Sequence, residues 1–126
     1  MKRVVITGIG IISCIGNSQT EVINSLKNLN SGISKADEYK EFGFRSLVHG
    51  KPNINLEEHI DRKILRFMGE GAAFNYISMK NAIIDSGLTD KNISNETTGI
   101  ITGSGGPSTE NLYKAAEITK SKGAKK

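Results

Sequence analysis

Two similar stretches decide the fold predicted for this chain: "VVITGIG" at residues 4–10 and "GIITGSG" at residues 99–105. Each is a short β-branched, apolar run that ends in Thr-Gly-x-Gly and leads into a polar stretch typical of a helix start. We predict buried strands over residues 4–7 and 97–106. Because strands that alternate with helices form parallel sheets covered by helices, the chain is predicted to be α/β. Two strands are too few for a stable sheet, so we expect the opening part of a larger layered domain.

A helix is predicted soon after the first stretch. Ser18 and Glu21 match the S-x-x-E capping box, in which each side chain accepts a hydrogen bond from a free backbone N–H at the helix start. Gly32 is predicted to close this helix. Its apolar face is formed by Val22, Leu26 and Leu29.

Residues 61–88 are also predicted to be helical. Gly69 and Gly71 separate a short first helix from a longer second one, for which Gly87 is the expected C-cap. The longer helix carries apolar residues at steps of four, three and four, the spacing of an apolar helical stripe. The members of this stripe are Ala72, Tyr76, Met79 and Ile83.

The two remaining segments differ in character. Residues 33–59 are polar with scattered aromatic residues, which predicts an irregular excursion with at most a short strand. After the second Gly-rich stretch, another helix is predicted to begin near Pro107, because proline is tolerated in a first helical turn.

Composition indicates a globular chain in a reducing compartment. Of the 126 residues, 37% are hydrophobic and 24% are charged, which is unlike a disordered protein. A single cysteine cannot form an internal disulfide, and no apolar run is long enough for a membrane span, so we expect a cytoplasmic protein. The net charge of +4 equals the four lysines of "KSKGAKK" at residues 120–126, so the rest of the chain is balanced. That distribution disfavours a nucleic-acid-binding protein.

Both Gly-rich stretches could belong to nucleotide-binding turns, but each lacks a required residue. In "GIGIIS", Ser13 occupies the third glycine position of the dinucleotide-binding fingerprint. In "GSGGPST" the lysine of a P-loop is missing, so a tight turn before a helix is the favoured interpretation.

The only cysteine, Cys14, is predicted to be a small packing residue rather than a nucleophile. A reactive thiol needs a base or a helix N-terminus to lower its pKa, and neither His49 nor His59 falls in a recognisable pairing with it. One cysteine and two histidines are also too few for a tetrahedral zinc site. No metal ligand is therefore predicted.

Arg62, Lys63 and Arg66 form the strongest candidate site. They cluster on one side of the predicted short helix, since positions i and i+4 stack. Such a cluster is either an ordinary solvated helix face or a docking patch for an acidic partner. The predicted buried side of this helix consists of Ile64, Leu65, Phe67 and Met68.

Four segments together resemble one known family. They are "MKRVVITGIGIISCIGN", "DRKILRFM", "ISMKNAIIDSGL" and "GIITGSGG". In this order and spacing the chain resembles the N-terminal region of the β-ketoacyl-acyl-carrier-protein synthases, most closely the synthase I type of bacterial fatty acid synthesis, with synthase II left open. Residues 1–126 are then expected to be an incomplete N-terminal β-ketoacyl synthase domain.

The resemblance implies a thiolase-like fold, in which two α/β halves give α-β-α-β-α layers, of which this chain is a truncated N-terminal half. It also implies a cytoplasmic homodimer that needs no metal or organic cofactor. Such enzymes take an acyl chain from carrier protein onto a cysteine and condense it with malonyl-carrier protein. The nucleophilic cysteine and two catalytic histidines are expected beyond residue 126, so no catalytic residue is predicted within this chain.

One functional element of the family falls within the chain. The resemblance assigns Arg62, Lys63 and Arg66 to docking of the acidic helix of acyl carrier protein, with Lys122 and Lys125 as a second basic patch. Two functions follow as expectations: the N-terminal part of a condensing enzyme, which is inactive alone, or a catalytically dead remnant that only binds acyl carrier protein. A nucleotide-binding domain is a more distant alternative.

Overall fold

The structure, a computed structural model, describes residues 2–124, and most of its regular secondary structure is helical. A 3₁₀ helix spans Leu56–Glu58. The other elements, in chain order, are α1 (Gln19–Lys27), β1 (Ser34–Lys35), α2 (Glu38–Glu41), β2 (Val48–His49), α3 (Arg62–Leu65), α4 (Glu70–Ser86), α5 (Asp90–Ile93) and α6 (Thr109–Lys122). Within the same range no helix is both long and apolar enough to cross a membrane.

The prediction of buried strands at residues 4–7 and 97–106 is wrong for this structure. Both segments lack regular secondary structure, and the sheet found within residues 2–124 is the antiparallel pair β1–β2. Val4 is 93% exposed and Ile101 is 97% exposed. A strand is defined by ladder hydrogen bonds to a neighbour, and β-branched residues alone do not supply one. The layering of the predicted α/β sheet is therefore not seen in the described residues.

The glycines of the opening segment allow it to lie directly on α4. A Cβ on Gly8 would come within 2.7 Å of the Ser86 nitrogen, and a Cβ on Gly10 would collide with the Ser78 carbonyl group and come within 2.8 Å of the Ala82 nitrogen. Gly8 and Gly10 therefore both face the helix. Their role in this structure is close approach to α4 rather than a turn out of a sheet.

Side-chain hydrogen bonds hold the opening segment where ladder bonds are absent. The Ile9 N–H donates to the Asp85 carboxylate on α4 at 2.9 Å, and the Gln19 side chain on α1 donates to the Ile9 carbonyl at 3.1 Å. The backbone of Ile9 is thus satisfied on both sides. These two bonds fix the segment between α1 and α4.

The main core lies beneath α4. Ile60, Ala73 and Ile77 are buried together, with a set of partly buried residues packed around them: Ile12, Ile54, Leu56, Leu65 and Met68. The predicted apolar stripe of α4 does not coincide with this core, and the helix is apolar on more than one face. Three members of the predicted stripe instead line an open groove: Ala72, Tyr76 and Met79.

That groove has a volume of about 1470 Å³. The opening segment contributes Gly8–Gly10 to one wall, and residues 100–104 and 106–110 form another. Residues 8–10, which follow the first predicted strand, and part of the second predicted strand therefore face a common space beside α4. Their apolar side chains are left without packing partners there, as the exposure of Ile100 and Ile101 shows.

The start of α1 was predicted correctly, but its apolar face and its end were not. The Ser18 hydroxyl accepts from the Glu21 N–H at 3.2 Å, and the Glu21 carboxylate accepts from the Asn17 N–H at 2.7 Å, one residue earlier than in the standard capping box. The helix ends at Lys27, well before Gly32. Two of the three predicted apolar residues are exposed: Leu26 and Leu29.

Most other predicted helix boundaries agree with the structure, but Gly71, which was predicted to separate two helices together with Gly69, lies in the first turn of α4. Gly69 is the N-cap of α4, and Gly87 is its C-cap with a left-handed φ of 65°. Pro107 lies just before Ser108, whose hydroxyl caps α6 by accepting from the Asn111 N–H. The irregular excursion at residues 33–59 contains the two short strands, with Ser34 opposite His49.

We predict opposite effects from two glycine-to-alanine changes. Gly10→Ala places a methyl group against the α4 backbone and is expected to lower the free energy of unfolding by about 1–3 kcal/mol. Gly71→Ala, in the first turn of α4 with no heavy atom within 4 Å of the new methyl, is expected to raise it by about 0.5–1 kcal/mol. Urea unfolding followed by circular dichroism measures both. Equal effects of the two changes would contradict the close packing at Gly10.

Candidate docking site

The α3 helix is short, and its first turn is fixed by Asp61. The Asp61 carboxylate accepts from the Lys63 N–H at 2.7 Å, and the Asp61 carbonyl accepts from the N–H groups of Ile64 and Leu65, both at 2.9 Å. A side-chain cap of this kind satisfies donors that the helix itself cannot. Buried Ile60 directly precedes the cap, so the start of α3 is tied to the core.

One side of α3 is anchored and the other faces solvent. Leu65 and Met68, three residues apart, pack against the core formed by Ile60, Ala73 and Ile77. The side chains of the basic cluster, defined as Arg62, Lys63 and Arg66, are exposed. Packing against the core thus fixes the turn that carries these three cationic side chains.

The predicted buried side of α3 is only half correct. Leu65 and Met68 are packed, but Ile64 and Phe67 are exposed, Phe67 at 76%. Residues three apart share a helical face, so these four residues form two pairs on two different faces. Only one pair can meet the core, and the other pair lies beside the basic cluster.

The charges of the basic cluster are available to a partner. Within residues 2–124 none of the three side chains forms an ion pair with a carboxylate. The contact recorded for the cluster is a cation–π interaction, in which Arg66 Cζ lies 4.5 Å from the centroid of the Phe67 ring. Three exposed and unpaired cations on one turn are suited to an acidic surface.

The second predicted basic patch lies elsewhere. Lys122 is the last residue of α6, about 20 Å along the helix axis from its start at Ser108. Gly69, which follows α3, lies against Ser108, so Lys122 is at the far end of α6 from that contact. Lys125 lies outside the described residues.

Lys114, another lysine of α6, is engaged locally. The Lys114 ammonium donates to the Glu110 carboxylate at 2.5 Å, one helical turn away. This hydrogen bond, together with the charge of Lys114, holds the pKa of the Glu110 carboxyl below its ordinary value. Lys114 is therefore partly neutralised, whereas Lys122 is not paired within residues 2–124.

Sequence comparison identifies the family to which the chain belongs. The family described as "Beta-ketoacyl synthase, N-terminal domain" matches residues 1–125 of the chain. The chain belongs to the β-ketoacyl synthase family. The resemblance predicted from the four sequence segments is thereby confirmed.

Individual proteins of this family are similar to the chain to different degrees. The chain is 48% identical over 120 residues to the 3-oxoacyl-[acyl-carrier-protein] synthase 1 of Haemophilus influenzae, covering 95% of this chain and 30% of that protein. It is 46% identical over 109 residues to the synthase 1 of Escherichia coli strain K12, covering 86% of this chain and 27% of that protein. The synthase 2 of Staphylococcus aureus strain N315 is 35% identical over 106 residues, 82% of this chain and 25% of that protein. The chain thus spans less than a third of the length of these β-ketoacyl synthases.

Cys14 lies in a close-packed part of this β-ketoacyl synthase domain. It is half-buried between two glycines: a Cβ on Gly32 would come within 2.8 Å of its sulfur, and a Cβ on Gly50 within 3.1 Å. His49 lies on β2, where its Nδ1 is 3.9 Å from the Glu38 carboxylate, and exposed His59 follows the 3₁₀ helix.

The second Gly-rich stretch contains an internal hydrogen bond between a side chain and the backbone. The Ser104 hydroxyl donates to the Gly106 carbonyl at 2.7 Å, just before the start of α6. The predicted turn before a helix is therefore present, although the strand predicted before it is not. Its serine is engaged by its own backbone.

Proposed function

We propose that this chain is the N-terminal part of a β-ketoacyl-acyl-carrier-protein synthase, an acyltransferase that elongates acyl chains in fatty acid biosynthesis. The observation that carries the proposal is the basic cluster: three exposed cations on a turn that the core holds in place. The names of the relatives supply the partner class, since each is a 3-oxoacyl-[acyl-carrier-protein] synthase. The proposed role of this part of the enzyme is to receive carrier protein.

The charges favour a steering role for the cluster. Exposed cations attract an acidic partner over about one Debye length, roughly 10 Å at 0.1 M salt, and so raise the association rate. Arginine adds a planar fork of donors that can bind a carboxylate through two hydrogen bonds. Arg62 and Arg66 are proposed to make such contacts, with Lys63 as a point charge between them.

Bond formation is proposed to depend on residues outside this chain. In the proposed reaction a cysteine thiolate attacks the acyl thioester and expels the carrier thiol. Loss of carbon dioxide from malonyl-carrier protein then gives an enolate, which attacks the acyl-enzyme and releases the cysteine. Two histidines would stabilise the enolate and the thioester oxyanion. Cys14, His49 and His59 do not match those positions, so the 126-residue chain alone is proposed to be inactive.

The proposal includes a thiolase-like arrangement for the whole enzyme. The chain is proposed to form part of the N-terminal α/β half of that arrangement. The match of residues 1–125 to the family's N-terminal domain supports this. A homodimer in the cytoplasm is part of the same proposal, as the family resemblance implies.

Titration of acyl carrier protein against the chain tests the proposal. Fluorescently labelled carrier protein is expected to bind, and binding is expected to weaken as salt rises, because exposed charges are screened. Incubation with acyl- and malonyl-carrier protein is expected to give no condensation product. Absence of any binding at low salt would refute the docking role, and a condensation product would refute the proposed inactivity.

A module that only binds carrier protein remains the second candidate, since the basic cluster would serve it equally well. The gene sequence downstream of codon 126 separates the two. A continuing frame that encodes a cysteine at a helix start and two histidines supports the enzyme. An immediate stop codon supports the binding module.

A further inference from the structure

Phe67 is an exposed aromatic residue at the edge of the basic cluster. Its ring is 76% exposed although its neighbour Met68 is packed on the core. The backbone around it is fixed, since the Phe67 N–H donates to the Ile64 carbonyl at 3.0 Å and the Met68 N–H donates to the Leu65 carbonyl at 2.9 Å. The ring therefore projects into solvent from a backbone that hydrogen bonds hold in place. Packing in the core does not explain why an aromatic residue stands at this position.

The Phe67 ring contacts a charged side chain of the basic cluster. The Arg66 guanidinium lies over it at 4.5 Å, and this is the one cation–π pair found within residues 2–124. Arginine has a long side chain that loses considerable freedom when it binds a carboxylate. Stacking on a ring removes part of that freedom beforehand and leaves the N–H edges of the guanidinium plane open.

We propose that Phe67 is a positioning residue for Arg66, and that it presents the Arg66 guanidinium to a carboxylate on an acidic helix of the partner. This inference rests on the proposed function, because it names the acyl carrier protein as that partner. Charge complementarity selects an acidic surface, and the exposed pair Ile64 and Phe67 adds an apolar strip suited to an amphipathic helix. Phe67 thus acts through Arg66 and also borders the contact.

Two substitutions in the 126-residue chain distinguish the contribution of the aromatic ring to binding from that of an apolar side chain. Phe67→Leu keeps an apolar side chain but removes the π face, and is expected to weaken binding of labelled carrier protein about two- to fivefold at low salt. Phe67→Tyr keeps the ring and is expected to bind like the unsubstituted chain. Phe42→Leu is the matched control, because Phe42 is a similarly exposed phenylalanine outside α3. It is expected to have no effect.

Dependence on Arg66 distinguishes positioning from a structural role. In an Arg66→Ala background, Phe67→Leu is expected to cause no further loss of affinity, and far-UV circular dichroism is expected to be the same for all variants. A full additional loss in that background, or unchanged binding by Phe67→Leu alone, would overturn the inference while leaving the proposed function intact. Absence of carrier-protein binding by the unsubstituted chain would overturn both.

Discussion

Replacing Ile77 with alanine is expected to lower the free energy of unfolding by about 2–5 kcal/mol, the largest effect of any single change predicted for this chain. Ile77 is 2% exposed and lies on α4 in contact with Ile60 and Ala73. Apart from Ala36, these three are the buried apolar residues of the described range. Because a small domain has a total stability of only about 5–15 kcal/mol, a cavity in this core removes a large share of it.

The matched control is Ile84→Ala, the same substitution on the same helix. Ile84 is 69% exposed, so its removal leaves no cavity and is expected to change stability by less than about 0.5 kcal/mol. Urea midpoints from circular dichroism at 222 nm measure both variants. Comparable midpoints for the two would show that the core does not lie beneath α4 as described.

Features set by a few neighbouring residues could be predicted from the sequence. The hydroxyl of Ser18, the glycines at 69 and 87, and the proline before α6 each act on backbone groups within one turn. Their geometry is fixed by local chemistry, and the structure agrees with it. The basic cluster belongs to the same group, because positions 62 and 66 stack in any α-helix.

Features that depend on distant partners could not be predicted in the same way. The β-branched run at residues 4–7 forms a strand only where a neighbouring strand accepts its hydrogen bonds. In the structure the Ile9 backbone bonds instead to side chains of Gln19 and Asp85. The collision of a Cβ at Gly10 with the α4 backbone is likewise a contact across 68 residues, which no local pattern encodes.

The sequence pattern also did not predict which faces of α3 and α4 are buried. Both helices are apolar on more than one face, so spacing alone does not say which face meets the core. Between residues 62 and 68, Leu65 and Met68 pack against the core, whereas Ile64 and Phe67 are exposed. The sequence pattern predicts one buried side for this short segment and does not predict the exposed pair as a surface feature.

Replacing all three residues of the basic cluster with alanine is expected to weaken carrier-protein binding by at least about tenfold at roughly 10 mM salt, where the Debye length is about 30 Å. The change removes every cation on the exposed side of α3. Alanine is a good helix former, and Leu65 and Met68 still anchor the turn, so the fold is expected to persist. Fluorescence anisotropy of labelled carrier protein gives the affinity, and circular dichroism checks the fold.

The control for this change must remove the same charge from elsewhere. Lys2, Lys27 and Lys91 are exposed and lie outside α3, so their joint replacement with alanine lowers the net charge equally. If the cluster is a specific site, the control loses little affinity and keeps the salt dependence, whereas the variant of the cluster loses both. Equal weakening by the two triple variants would mean that carrier protein responds only to net charge, and the assignment of α3 as the docking helix would then be wrong.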